Sequence, residues 1–518
     1  MIVKSFPGSR SWTAIALLVI IALIYCSAAI AAPFWGNNDT WSNLLPIIHY
    51  RKSILEQHVL PLNTDLWFGG RAQWQNPLWS FPYFPATLVW LSVPLDWGAR
   101  IVFTGHLIFA LLAGWKLSTL FLSEEAGRVA TAIILTAPML AALAPGHIET
   151  VMAWGWLLLA LYFLLNEKFS PAVRGAGAGI CWGIVALTGA NYHVLYAGIL
   201  LVPLAFSYQN PRLLVFFVGG SLIGLIHLPT VWHLIGVSRG NPTQSIVEWS
   251  IDLRGILTAL SFGPAYTMNW ETWAPVGVPI VYLFFRFLVL DTRQSLVTHT
   301  LAFTRRQIVL LLTLIILILL ATGALYQGQH LLDTFRTSGR AISVIALTTM
   351  LYVLISHTVS AKTDTPRSRK FYRWLLVIAA VQVGLVSWLI RPPGSQYNLD
   401  NSDAQQLIQI LQADQAKSVW MQMEGLQYMY IQAALTEHNV ALPNVYYGDM
   451  GQIIPVRGPY CGFSFDHLIS PASNTVPVLE YIAGVKTNEQ IPATTLQRIA
   501  QVTLHADLYD IYRVVCSP

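Results

Sequence analysis

Long apolar runs separated by short polar stretches dominate the first 390 residues. Runs long enough to cross about 30 Å of hydrocarbon fall near 13–32, 101–122, 128–144, 151–165, 175–190, 194–207, 213–234, 275–290, 308–323, 341–358 and 374–391. The pattern predicts a polytopic α-helical membrane protein with about 11 transmembrane helices. Beyond Pro392 the period changes to that of a soluble α/β domain. Helices are expected over Asp403–Gln412 and Leu426–Thr436, and strands over Ser418–Met423, Asn444–Tyr447 and Leu508–Val515. The chain therefore divides into a transmembrane domain, 1–391, with a long first outer loop at 33–99, and a C-terminal domain, 392–518.

Composition agrees with this division. Of 518 residues, 55% are hydrophobic and only 11% charged, and the mean hydropathy is +0.54; a soluble chain carries about 25% charged residues. From Pro392 onward there are 11 acids against 5 Lys/Arg, so the tail carries −6 and the remainder +11 of a net +5. No Lys/Arg cluster is interleaved with aromatics on a soluble face, which excludes nucleic acid as a partner.

Basic residues set the orientation. Lys4 and Arg10, Lys168 and Arg174, Arg305 and Arg306, and the group Lys362, Arg367, Arg369, Lys370 and Arg373 mark one side; the loops at 145–150 and 190–193 have no Lys or Arg. With an odd number of spans the tail falls outside, and the expected location is a bacterial inner (plasma) membrane with an extracytoplasmic C-terminal domain. The first span also has the form of a signal peptide, with Ala29-Ile-Ala31 as a cleavage site. Gly175, Gly179 and Gly183 share one helix face, and Gly220 and Gly224 repeat the spacing, as in close helix packing. A phosphate-binding Gly loop would need a preceding strand.

Candidate chemistry gathers in the predicted outer segments. Asp39, in Trp35-Gly-Asn-Asn-Asp-Thr-Trp41, lies just past the first span, where a carboxylate is costly unless it meets water, a polar partner or a substrate. Leu44–Leu55 has the pattern of an interfacial helix with a basic edge, and Trp67, Trp74, Trp79, Trp90 and Trp97 suit interfacial anchors or sugar stacking. Pro145-Gly-His-Ile-Glu-Thr150 supplies His147 and Glu149, and Asn191-Tyr-His193 supplies Tyr192 and His193. These side chains serve either as a helix cap with a hydrated interface carboxylate, or as a second acid and support for a site. A divalent cation such as Mg or Mn would draw on Asp39, His147 and Glu149, although two ligands in one turn are not a metal motif. Arg336 and Arg340, four apart, suit a phosphate at a helix start or snorkelling to the interface. Of the four cysteines, Cys26 and Cys181 lie in spans, so Cys461 and Cys516 are expected to form a disulfide in an oxidising compartment.

The acid after the first span, the long aromatic outer loop, the Gly-His turn, the Phe-Arg-Thr-Ser-Gly-Arg element and the outer tail together resemble the GT-C superfamily of integral-membrane, polyprenyl-phosphate-sugar-dependent glycosyltransferases. The stretch Leu62–Pro85 is similar to the first-loop signature of a bacterial branch. The resemblance implies that Asp39 is the catalytic acid. Asn37 and Asn38 stand where that acid often has a second carboxylate, which leaves metal dependence open. The implied reaction is transfer of a hexosyl or pentosyl group from a lipid-phosphate donor to a glycan, lipid or protein acceptor of the cell envelope, or to a secreted one, with inversion. Asp39 would be the base and Arg336 and Arg340 the phosphate clamp. Membrane lipids are partners in any case. Two other classes compete: a lipid-linked-sugar binder or transporter, and a non-catalytic structural or assembly subunit. Transport favours paired charges at mid-membrane, whereas the polar groups here collect at one face.

Overall fold

Each predicted apolar run coincides with helix in the computed structural model, as far as its residues are described. The structure describes residues 9–32, 34–35, 38–64, 71–72, 80–143, 147–228, 250–263, 274–298, 303–325, 338–360, 366–389, 391–392, 394–395, 402–421, 429–440, 466–472, 494–504 and 507–516. Helices α1 (Ser9–Ala31), α2 (Asn38–Arg51), α3 (Phe84–Ser92), α4 (Leu95–Ser118), α5 (Glu125–Leu143), α6 (Ile148–Leu165), α7 (Pro171–Leu187), α8 (Asn191–Phe206) and α9 (Pro211–Ser221) are followed by α10 (Leu253–Phe262), α11 (Val278–Thr298), α12 (Arg305–Ala321), α13 (Ile342–Ser360) and α14 (Pro366–Leu389). Six of the described helices, α1, α4, α5, α6, α13 and α14, are long and apolar enough to cross a membrane by length and composition. This is a multi-pass membrane protein.

Two compact units emerge. The first comprises 1–30, 80–89 and 99–393. Its packing follows from small residues: α7 and α9 lie against each other along the glycine stripe. A methyl at Gly175 would run into the Leu213 carbonyl oxygen, and one at Gly179 into that of Phe217. The glycines are there for helix packing, as their spacing predicts. A buried polar chain fixes α3 and α4. His106 Nδ1 donates to the Val102 carbonyl at 2.6 Å, which leaves Nε2 to accept the Tyr83 hydroxyl at 2.7 Å. Tyr83 in turn accepts the Trp156 indole at 2.8 Å. Each donor has its acceptor, so this histidine is a satisfied core group.

The second unit comprises 31–79, 90–98 and 394–518. Most of the first loop, 31–79 and 90–98, thus groups with the C-terminal segment 394–518. Strand β1 (Phe34–Trp35) pairs antiparallel with β4 (Gly394–Ser395), β2 (Asn63–Thr64) pairs with β3 (Arg71–Ala72), and α2 packs on α16 (Met429–Glu437). Residues Leu44–Tyr50 of α2 are all buried, so the apolar face of this helix is covered by protein. Its basic edge is consumed internally. Arg51 donates to the carbonyls of Trp90 and Val93, and Lys52 Nζ donates to Asn439 Oδ1 at 2.9 Å. Burial pulls the Lys52 ammonium below its ordinary range, against the opposing charges of Glu437 and Glu56. Trp90 is likewise buried, Trp97 is exposed, and Trp67, Trp74 and Trp79 lie outside the described residues.

The tail is an α/β fold. Strands β5 (Val419–Met421), β6 (His467–Pro471), β7 (Thr494–Leu504) and β8 (Asp507–Cys516) form one sheet in the order β5-β6-β8-β7, parallel only between β5 and β6. Helix α15 (Ser402–Ala413) packs on β7 and α16. The predicted helices and the strands at 418–423 and 508–515 are present; β6 and β7 were not anticipated, and 444–447 lies outside the described residues. The expected Cys461–Cys516 disulfide receives no support. Cys461 lies outside the described residues, and Cys26 and Cys181 are free and buried.

Candidate active site

Three helix starts converge at one end of the first unit. His147 caps α6 by position but not by its side chain; its backbone sits at φ −71°, ψ 86°. Gly189, at φ +79°, takes the left-handed conformation that closes α7, and only Ala190 separates it from the start of α8 at Asn191. That tight connection puts Tyr192 and His193 in the first turn of α8. Helix α13 is entered through a 3-10 turn, Ser338–Ala341, which carries Arg340. Helix α8 packs against α6, α13 and this turn, so the positive ends of several helix dipoles meet where these side chains gather.

The side chains are tied to one another. His147 Nδ1 lies 2.8 Å from Glu149 Oε1. A carboxylate accepts from a nearby ring nitrogen, so Nδ1 carries the hydrogen and the ring orientation is fixed. Glu149 is 7% exposed, and its other oxygen, Oε2, has no hydrogen-bond partner among the described residues. The Arg340 guanidinium lies over the Tyr192 ring, 4.5 Å from its centroid, and its charge acts on both Glu149 and His193. His193 is buried edge-on to Trp154, with ring centroids 6.0 Å apart at 90°. Trp154 is itself pinned by donation to the Leu135 carbonyl at 2.8 Å. The cluster thus presents a guanidinium held on an aromatic face and a buried carboxylate oxygen able to accept. It can bind an anion beside a hydroxyl.

The structure brings together His147, Glu149, Tyr192, His193 and Arg340. Arg336 lies outside the described residues. Asp39 falls in the first turn of α2, in the second unit, and its side chain is outside the described residues. Among the described residues no group of three or more His, Cys, Asp or Glu is placed to hold a metal ion. The described set is one carboxylate and two imidazoles beside a guanidinium, whose charge opposes a dication, and the side chain of the third candidate ligand, Asp39, lies outside the described residues. Trp154 was missed by sequence reasoning because nothing in a mid-span tryptophan distinguishes a brace from a core residue. A second polar network was also missed. Asp291 Oδ2 accepts from Gln307 Nε2 at 2.9 Å and from the Tyr352 hydroxyl at 3.0 Å, and Gln307 Nε2 also reaches Ser356 Oγ at 2.8 Å. Its one local signal was the Thr304-Arg-Arg-Gln307 capping box.

No protein-family model matches the chain, and no curated protein matches it. Among solved structures it is similar to the arabinofuranosyltransferase AftD from Mycobacteria, with TM-score 0.53 and 14% identity over 98% of this chain and 42% of that one. It is also similar to the Archaeoglobus fulgidus oligosaccharyltransferase. With Zn and sulfate that protein gives TM-score 0.47 and 12% identity, over 88% of this chain and 68% of that one. As AglB with an inhibitory peptide and a dolichol-phosphate it gives 0.43 and 12%, over 90% and 70%. The likeness to AftD defines the fold alone, and this chain spans less than half of AftD's length.

Proposed function

From the premise that this chain has the GT-C membrane glycosyltransferase fold, we propose that it transfers a sugar from a polyprenyl-phosphate donor to a cell-envelope or secreted acceptor. The reaction takes place at the outer face of a bacterial plasma membrane, where the tail domain also lies. Arg340 takes a phosphate oxygen of the donor, with Arg336 from the same element as its second cation. Asp39 removes the proton of the acceptor hydroxyl. The acceptor oxygen bonds to the anomeric carbon as the bond from that carbon to the phosphate oxygen breaks. The proton ends on Asp39, the lipid phosphate leaves against the guanidinium, and the anomeric configuration inverts. No step is routed through a metal.

One observation carries this reading: a guanidinium seated on Tyr192 beside a buried carboxylate at the meeting of helix starts. An apolar bundle tolerates such a group chiefly where it serves a ligand. The test is reconstitution of the full chain with short-chain polyprenyl-phosphate sugars and envelope acceptors, with products identified by mass spectrometry. Asp39→Asn keeps the shape and removes the base, so turnover should fall by a factor of order 10² or more with donor binding retained. Arg340→Ala should weaken donor binding and turnover together. Donor binding without any product would favour a binder or transporter, and no donor binding at all would favour a structural subunit.

A further inference from the structure

We infer that Glu149 is a specificity-determining residue that reads a hydroxyl of the donor sugar, a role that rests on the proposed transfer from a lipid-phosphate donor. Four facts lead there. Glu149 is 7% exposed, so both oxygens are removed from bulk water. Oε1 accepts from His147 Nδ1 at 2.8 Å, but Oε2 has no partner among the described residues. Buried polar atoms of folded proteins are almost always paired, and an exception calls for a cause. Arg340, whose charge acts on this carboxylate, provides the anion subsite beside it.

The chemistry of the missing partner follows from the atom. A carboxylate oxygen only accepts, so the ligand must donate. A second phosphate oxygen would be repelled, and a C–H or an ether oxygen offers nothing to accept. A hydroxyl on a ring whose neighbouring carbon carries a phosphate satisfies both subsites at once, and a lipid-phosphate sugar is such a molecule. Because the carboxylate is already desolvated, a ligand lacking that hydroxyl leaves it unpaired in the bound state as well. Sites of this kind discriminate by the penalty on the wrong ligand as much as by the bond to the right one.

His147 also predicts what the amide would do. In Glu149→Gln the carbonyl oxygen must face the donating Nδ1–H of His147, which turns the NH2 group to the position of Oε2. The variant replaces an acceptor by a donor at the point where the sugar is read. It should therefore lose its preference for a hydroxyl over a fluorine, since the amide N–H can donate to either.

The experiment measures binding of short-chain lipid-phosphate sugars to the reconstituted full chain, without acceptor. The set holds the parent sugar and analogues in which one hydroxyl at a time becomes hydrogen or fluorine. For one position the wild-type protein should lose about 10- to 100-fold in affinity with either replacement. In Glu149→Gln the fluoro analogue should regain affinity relative to the deoxy one at that same position. Equal affinity for every analogue in the wild-type protein would overturn the inference and leave the donor site standing. Loss at a position whose pattern is unchanged in Glu149→Gln would overturn it too, by assigning the hydroxyl to another residue. Failure of the parent donor to bind at all would instead bring down the reading on which the inference rests.

Discussion

The two ends of the membrane unit treat a carboxylate in opposite ways, half-buried Asp291 at one and buried Glu149 at the other. From Arg340, in the 3-10 turn that opens α13, to Ser356 is 16 residues, about 24 Å at a helical rise. At the far end Asp291 is held by Gln307 and Tyr352, and Gln307 is in turn used twice over. Its Nε2 donates to Asp291 and Ser356, and its Oε1 accepts from the backbone and hydroxyl of Thr304, both at 2.8 Å. None of Asp291, Gln307, Tyr352 and Ser356 leaves a buried polar atom unpartnered. At the near end Glu149 has one oxygen bonded and one not. The first network is complete without a ligand, so its work is to join α11, α12 and α13. The second is incomplete without one. Polar groups in an apolar bundle are costly in both places, and it is the state of satisfaction, not the presence of charge, that separates framework from site.

The largest effect should come from breaking the complete network. In Gln307→Leu, the Thr304 amide loses its partner, and Asp291 and the Ser356 hydroxyl each lose one donor. The cost should be about 3 kcal/mol of stability, read as a lowered unfolding midpoint in detergent. Donor affinity should be unchanged. If the variant instead lost donor binding at full stability, the far network would be a site and the comparison would fail.

The same contrast explains what the sequence discloses. Span positions follow from composition and length alone, and the glycine stripe announces the α7–α9 approach because its period is local. His147 and Glu149 are likewise legible, two apart in one turn. What cannot be read locally is which polar residue finds a partner: Gln307 and Asp291 are 16 residues apart, and Tyr83 meets Trp156 from 73 residues away. The first loop illustrates the same limit. Its basic edge and apolar spacing describe an interfacial helix equally well as a helix whose Lys52 reaches Asn439, 387 residues on. That pairing partner is not legible in the local pattern.

A smaller effect should follow from removing the aromatic seat of Arg340. Tyr192→Leu deletes the ring face 4.5 Å from the guanidinium, and the loss should be about 1 kcal/mol. That corresponds to about fivefold in donor affinity, with Tyr192→Phe retaining wild-type binding because the face is what matters. A drop in turnover at unchanged donor affinity would show that the ring acts elsewhere than under Arg340.

The smallest effect on stability should be that of Glu149→Gln, although the residue is more buried than Gln307's neighbour Asp291. The amide keeps an acceptor for His147, and no partner is stranded, because Oε2 had none among the described residues. The change removes a buried charge that attracts Arg340 but also removes the cost of keeping that charge from water, and such terms roughly cancel. Unfolding in detergent should shift by no more than about 0.5 kcal/mol. A loss as large as that of Gln307→Leu would mean that Glu149 is a structural group as fully committed as Asp291, and the distinction between the two ends would dissolve. A near-neutral result joined to altered ligand preference would place Glu149 among residues kept for what they bind, since nothing in the folded state would then account for a carboxylate at that depth.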